Sequence, residues 1–224
     1  MPGIPLASPL YPDPPYDYRG SVMLTALLDA PSPWALPAGL DAPDAPLTAI
    51  VFATYPDTTI GPYHEVVVVT ACSFEGAPGL YCPFIYVDTD DAMCAGREIW
   101  GFPKKLAEIT LSVSGETVRA ELSRRGEALA VVEGATPEAL DPAAAAALGA
   151  LPIFNHKRIP GAAAKEPDID ALTRVVLEIA ALEASAGAGT AAGHGELAGL
   201  LGAGGAQLVR SVVDSVLPAG ERVA

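Results

Sequence analysis

Two adjacent lysines, Lys104 and Lys105, follow the run Trp100-Gly101-Phe102-Pro103, and here a side chain could act as a nucleophile. A lysine amine attacks a carbonyl only when neutral, yet an ordinary lysine with a pKa of about 10.4 is less than ~0.1% neutral at pH 7. Apolar surroundings, here Trp100, Phe102 and Pro103, could lower the pKa of a buried lysine by roughly 3 to 5 pH units. A second cation about 6 Å away could lower it by about two. The pair does not announce a site by itself, because lysine is rarely buried unless paired or functional, and Lys-Lys ordinarily marks a solvated turn. Two further groups could cooperate with such an amine. Glu65 precedes the apolar run 66–69, so it is either a solvated strand end or a carboxylate turned into an apolar cavity and suited to proton transfer. Arg19 could hold a carboxylate in a bidentate fork, or be an exposed side chain of the proline-rich arm formed by residues 1–20.

The flanking residues sharpen the choice. Gly96-Arg97-Glu98 followed by Gly101-Phe102-Pro103-Lys104-Lys105 resembles the active-site segment of the acetoacetate decarboxylase-like superfamily. Other segments agree in register: Ile60-Gly61-Pro62-Tyr63-His64-Glu65, then Ile85-Tyr86-Val87-Asp88. Later come Pro152, Phe154 and Lys157 with Ile159-Pro160-Gly161, and weaker echoes at Gly195, Leu197 and Leu217-Pro218. The resemblance runs along nearly the whole chain and is most specific in its centre. It implies that Lys104 is a Schiff-base lysine, Lys105 the neighbouring cation that tunes it, Glu65 one of two active-site glutamates and Arg19 a carboxylate-binding arginine. Trp100 and Phe102, beside the amine, would line the substrate site. The implied partner is a small-molecule carbonyl or carboxylate substrate, with no cofactor. The implied fold is a largely antiparallel, cone-like β-barrel with flanking helices, assembled into homo-oligomers. Activation of a lysine by desolvation or by a nearby cation is a property of that family rather than a deduction from these residues.

One departure stands out. Where the family carries its other glutamate, residues 47–52 read Leu-Thr-Ala-Ile-Val-Phe, and no carboxylate occurs between Asp44 and Asp57. Val51 takes that position if the following turn is one residue shorter, and Ile50 if it is not; neither can shuttle a proton. A protonated imine accepts electrons from any bond breaking at the adjacent carbon, so three readings stay open. They are a Schiff-base lyase acting on a β-keto acid, an aldolase-dehydratase or cyclase of secondary metabolism, and a non-catalytic ligand-binding barrel. Joint retention of Lys104, Arg19 and Glu65 favours an enzyme. Side chains alternate along a strand, so an extended Lys104-Lys105 would turn Lys105 away and leave desolvation as the main influence on Lys104. Arg97 and Glu98 read as structural, paired with each other beneath the site.

Val, Ile, Thr and aromatic content predicts the strands that would position these groups, over 21–28, 47–55, 65–74 and 80–87, with a loop over 31–46. Thr89 or Asp90 should cap a helix reaching about Trp100 and stopped by Gly101 and Pro103. Segments 107–114, 117–123 and 128–133 read as a meander. Thr136-Pro137-Glu138 reads as the start of the clearest helix, running through the alanines to 148, with Asp141-Pro142 as a point of restart. Strands are expected at 152–159 and 173–181, while the Gly/Ala-rich stretch 182–205 has no assignable period. The expectation is one α+β domain over residues 1–224.

Bulk properties narrow the function. A net charge of −14 and a pI near 4.4 would repel phosphate backbones, which argues against a nucleic-acid partner. No stretch reaches the ~18 apolar residues of a membrane span, and six prolines in the first fifteen residues do not make a secretory signal. Cys72, Cys82 and Cys94 form no CxxC, and His64, His156 and His194 show no ligand spacing, so no metal and a reducing cytoplasm are expected.

Overall fold

A computed structural model describes residues 11–28, 34–43, 45–143, 149–163, 165–201 and 204–223. Among the described residues there are fourteen strands. β1 (Tyr16–Leu28), β2 (Thr48–Tyr55), the short β3 (Asp57–Thr58), β4 (Tyr63–Phe74) and β5 (Ala77–Val87) lead into helix α1 (Asp90–Ala95). Helix α1 continues directly into a π-helical turn, Gly96–Trp100, and then β6 (Lys104–Leu106). A meander follows: β7 (Glu108–Ser114), β8 (Thr117–Arg124) and β9 (Glu127–Ala139). The chain closes with β10 (Ile153–Pro160), β11 (Pro167–Val175), β12 (Glu178–Gly193), a 3-10 turn at Gly195–Leu197, β13 (Gly204–Leu217) and β14 (Glu221–Arg222).

These strands form one sheet in the order β14-β11-β10-β5-β4-β2-β1-β13-β12-β9-β8-β7, with β3 beside β1 and β6 beside β5. Pairing is antiparallel except at β5, where both β10 and β6 run parallel to it. The hydrogen-bonded path does not close, so the expected cone-like barrel is in fact an open sheet that folds over on itself. Leu24, Phe52 and Val66 from one half meet Val118, Val132 and Leu208 from the other in a single apolar cluster on one side. The opposite face carries a second cluster in which Tyr16, Tyr55, Tyr63 and Ile85 pack beneath the π-turn residue Trp100 and beneath Phe102. Strand alternation assigns sides: in β2, Ile50 and Phe52 enter the first cluster, while Ala49, Ala53 and Tyr55 enter the second.

Two sequence expectations are corrected. Residues 136–139 are strand, not helix: β9 pairs with β12 as far as Ala139, and the buried Thr136 Oγ1 accepts a 3.1 Å hydrogen bond from Ser185 Oγ. Pro137 is tolerated because it falls at the register shift between Ala186 and Ala188, where no ladder bond needs its missing N–H. Helical residues begin only at Pro142, after Asp141 Oδ1 accepts from the Ala143 N–H at 2.9 Å; the alanines 144–148 lie outside the described residues. The single strand expected over 173–181 is two, because the chain leaves the β14 side of the sheet after Val175 and re-enters beside β13 at Glu178. The aperiodic Gly/Ala stretch is largely the long strand β12, held between β9 and β13. Among the described residues no helix is long and apolar enough to cross a membrane.

Candidate active site

Lys104 opens β6, and its amine lies on the face of the second cluster. It is opposite Ile85, whose partner across β5 and β4 is Val67; Glu65 is two residues along from Val67 on the same face. With strands about 4.8 Å apart, the lysine must lean across β5 to meet Glu65. It does so: Nζ lies 2.7 Å from Glu65 Oε2, with Lys104 only 6% exposed and Glu65 equally buried. The contact is an ion pair without hydrogen-bond geometry, since Oε2 accepts no hydrogen bond.

The surroundings are aromatic. The amine sits 5.5 Å from the Tyr63 ring centroid and 5.7 Å from that of Phe102. Tyr55 donates its hydroxyl to Glu65 Oε1 at 3.2 Å, and Tyr63 donates to the Tyr18 hydroxyl at 3.3 Å. The Tyr18 and Tyr55 rings lie 4.9 Å apart, and those of Tyr55 and Tyr63 4.8 Å apart. Burial, and next the Glu65 charge, push the Tyr55 and Tyr63 hydroxyls well above their usual range, so both remain neutral donors at ordinary pH. Burial likewise pushes up the Cys82 thiol in the same cluster.

The π-turn holds this arrangement. The lysine stem passes over Gly96, where a Cβ would lie 2.5 Å from both Cδ and Cε of Lys104, so only glycine leaves room for it. Arg97 Nη1 donates to the Lys104 carbonyl at 3.2 Å, and Glu98 accepts from the Tyr11 hydroxyl; the two bond to different partners rather than to each other as the sequence suggested. Lys157 donates to the carbonyls of Glu98 and Ile99, at 2.5 and 3.1 Å, and so satisfies the end of the turn. Gly101 then reverses the chain with φ of 77°.

The other residues singled out from sequence separate. Phe102 lines the amine, whereas Trp100 stands behind it. Its indole donates to the Pro218 carbonyl at 2.8 Å, and its ring meets Tyr16 edge-on at 5.1 Å. Val51 projects on the Lys104 face, two residues from Glu65's cross-strand partner Ala53, while Ile50 is buried in the first cluster. Lys105 points to the opposite face, as strand alternation requires. Its Nζ is 2.6 Å from Glu196 Oε2 and 4.8 Å from the Phe84 ring, so its charge is already matched there. Arg19 is not brought to the group. A bulge between Tyr18 and Ser21 leaves it 56% exposed and beside Asp17 and Asp214, at 3.6 and 3.7 Å. The wall residues Tyr18 and Tyr55 escaped sequence reasoning. Tyr55 shares the phase of Val51 and Ala53 and could have been found; the bulge that turns Tyr18 inward has no sequence mark. An open groove of about 920 Å³ runs along β6, lined by Lys104 with Arg97, Lys105 and Arg124; none of Glu65, Tyr55, Tyr63 and Phe102 lines it.

Residues 34–196 match the acetoacetate decarboxylase (ADC) family. An acetoacetate decarboxylase of Ralstonia nicotianae is 35% identical over 180 residues, spanning 78% of this chain and 72% of that protein. One of Chromobacterium violaceum is 34% identical over 164 residues, spanning 70% of this chain and 65% of that protein. The crystal structure of acetoacetate decarboxylase from Legionella pneumophila superposes with a TM-score of 0.90 at 27% identity, over all of this chain and 92% of that one. The enduracididine biosynthesis enzyme MppR complexed with pyruvate shares the fold, with a TM-score of 0.80 at 19% identity over 94% of this chain and 91% of its own. With well over half of its length matched, this chain belongs to the acetoacetate decarboxylase family, whose members are enzymes of the lyase class.

Proposed function

We propose that the protein is an imine-forming lyase in which Lys104 captures the carbonyl of a small keto acid or related compound. The observation that carries this reading is the buried Lys104–Glu65 pair, 2.7 Å apart in a tyrosine-lined wall. Transfer of one proton from Nζ to Glu65 frees the amine lone pair. The amine attacks the carbonyl carbon, and the resulting carbinolamine loses its hydroxyl as water, using the proton held by Glu65. Tyr55 keeps Oε1 of that carboxylate fixed throughout. The product is a protonated imine, which accepts the electron pair of the adjacent breaking bond to give an enamine; a proton added at carbon and hydrolysis then release the product. Lys105, turned to the other face and paired with Glu196, takes no part in this sequence of steps.

Val51 favours a second reading of the same intermediate. With valine where a second carboxylate would face the amine, the imine suits aldol addition or dehydration as well as loss of carbon dioxide. The test is intact-protein mass spectrometry after borohydride reduction with acetoacetate, pyruvate and a panel of small aldehydes. The expected result is a stable adduct of the substrate's mass, absent in Lys104→Ala. Adducts that persist in Lys104→Ala, or none at all in the wild type, would overturn the imine. Carbon dioxide release from acetoacetate would assign decarboxylation, and trapping without release the aldol-type branch.

A further inference from the structure

The groove along β6 gathers cations in an acidic chain. Arg97, Lys104, Lys105, Arg124 and Arg125 all line it, although the sequence has only 13 basic residues against 27 acidic ones. Lys104 and Lys105 project to opposite faces of their strand yet both line the groove, so it follows the edge of β6 that is not paired with β5. Two arginines are tethered to β6 itself: Arg97 Nη1 donates to the Lys104 carbonyl at 3.2 Å, and Arg124 Nε to the Leu106 carbonyl at 3.1 Å. The two-residue turn between β8 and β9 then adds Arg125, which has φ of 56° and is followed by Gly126 with φ of 80°.

The two lysines are matched, Lys104 by Glu65 and Lys105 by Glu196. Elsewhere Arg19, Arg119, Arg158 and Arg174 each pair with a carboxylate. Among the described residues Arg97, Arg124 and Arg125 form no salt bridge, despite the excess of acidic side chains. Two carboxylates also line the groove, and both are engaged otherwise. Asp88 accepts from the His64 backbone N–H at 2.8 Å and lies 2.7 Å from His64 Nδ1, while Glu108 accepts from Ser123 Oγ at 3.4 Å. A guanidinium carries five N–H donors, so the single bond that Arg97 and Arg124 each make to β6 orients the group and leaves donors for a ligand. Oriented guanidiniums without a carboxylate recognise carboxylate and phosphate oxygens in bidentate fashion. A volume of about 920 Å³ is far more than one oxyanion fills, so charges set apart on one molecule can each meet an arginine. We propose that this groove binds a small molecule bearing two or more negative charges of phosphate or carboxylate type, at a site separate from the wall around the Lys104 amine.

Pyrophosphate and citrate are the probes. They carry the two kinds of oxyanion, and neither has a ketone or aldehyde, so their binding is independent of imine formation. Isothermal titration of the full chain at low ionic strength should show saturable binding of at least one of them, and the tighter of the two tells phosphate from carboxylate. Arg124→Gln and Arg125→Asn should each weaken that binding by about threefold or more, and the double variant by about tenfold or more. Arg125→Asn should also hold or raise the melting temperature, because asparagine tolerates the left-handed conformation of that turn position. Arg222→Gln removes the same charge on β14, outside the groove, and should change affinity by less than about twofold. Binding of neither anion by the wild type would overturn the proposal and leave the arginines the task of holding the edge of β6. An affinity unchanged in Arg125→Asn and in the double variant would overturn it too, marking an adventitious ion only. So would an equal loss in Arg222→Gln, which would mark a response to net charge rather than to the groove.

Discussion

Gly96 shows how a single missing atom shapes this site. The lysine that must reach Glu65 across an intervening strand has one path, and that path crosses the Gly96 Cα. A methyl there would displace the far end of a flexible side chain rather than backbone, so the fold should tolerate it while the amine loses its position. Gly96→Ala is therefore expected to keep stability within about 1 kcal/mol, helped by the better helix propensity of alanine. Imine trapping should fall by roughly 100-fold or more, since displacements of about 1 Å cost that much. Denaturant titration and trapping rates on the same sample check it; a stable variant that traps normally would show that the lysine has another route. The legible part of the site was the part written in contiguous residues: Lys104, Phe102 and the Gly96 that precedes them. Arg19 was misplaced because of the bulge between Tyr18 and Ser21: in a regular strand it would share the face of Met23, and the bulge turns it out while leaving no trace in composition.

At the scale of elements, the segment between β5 and β6 does the positioning. A parallel partner needs a crossover, and α1 with its π-turn supplies it, so that Lys104 arrives beside Ile85 on the edge of β5 that β10 leaves free. The helix was legible from its acidic first turn and its glycine stop. Its final turn being π was not, because the extra residue per turn is imposed by packing against Lys157 and Thr173 rather than by local preference. The misread helix at 136–139 has the same origin: capping signals around Thr136-Pro137 were outweighed by pairing with β12. Gly101 gives this element its test, with a phenotype opposite to that of Gly96. A Cβ at Gly101 would lie 2.4 Å from Lys157 Cβ and 2.8 Å from its Cα, at φ of 77° where alanine is already disfavoured. Gly101→Ala should cost about 2–4 kcal/mol of folding stability, from left-handed strain and backbone displacement together. Urea unfolding is the measurement, and a loss below about 0.5 kcal/mol, the scatter of ordinary surface substitutions, would mean that the turn is not clamped as drawn.

At the scale of the whole molecule, the two faces of the open sheet are tied by the side chains that point away from the site. Lys105 and Tyr86 both reach Glu196, at 2.6 and 2.8 Å, and so link β5 and β6 to the 3-10 turn between β12 and β13, strands from the other half of the sheet. Burial pushes the Glu196 carboxyl up, but the hydrogen bonds from Lys105 and Tyr86 outweigh it and hold the group below its usual range. A carboxyl with a depressed folded-state pKa stabilises the fold above its unfolded value, about 4.5, and loses that contribution as pH falls through the folded value. The side chain is 34% exposed, so solvent screening limits the contribution to about 1 kcal/mol or less. Glu196→Gln should accordingly lower stability at pH 7 by up to about 1 kcal/mol, by less in high salt, with the gap between variant and wild type closing as pH drops below about 4.5. The net charge of −14 makes both proteins respond strongly to acid, so only their difference is diagnostic. Paired thermal melts from pH 7 to pH 3 provide it. A gap that persists at pH 3 would assign Glu196 a packing role, whereas a gap that vanishes would show that a charge on one face of the sheet helps to hold the strand that presents Lys104 on the other.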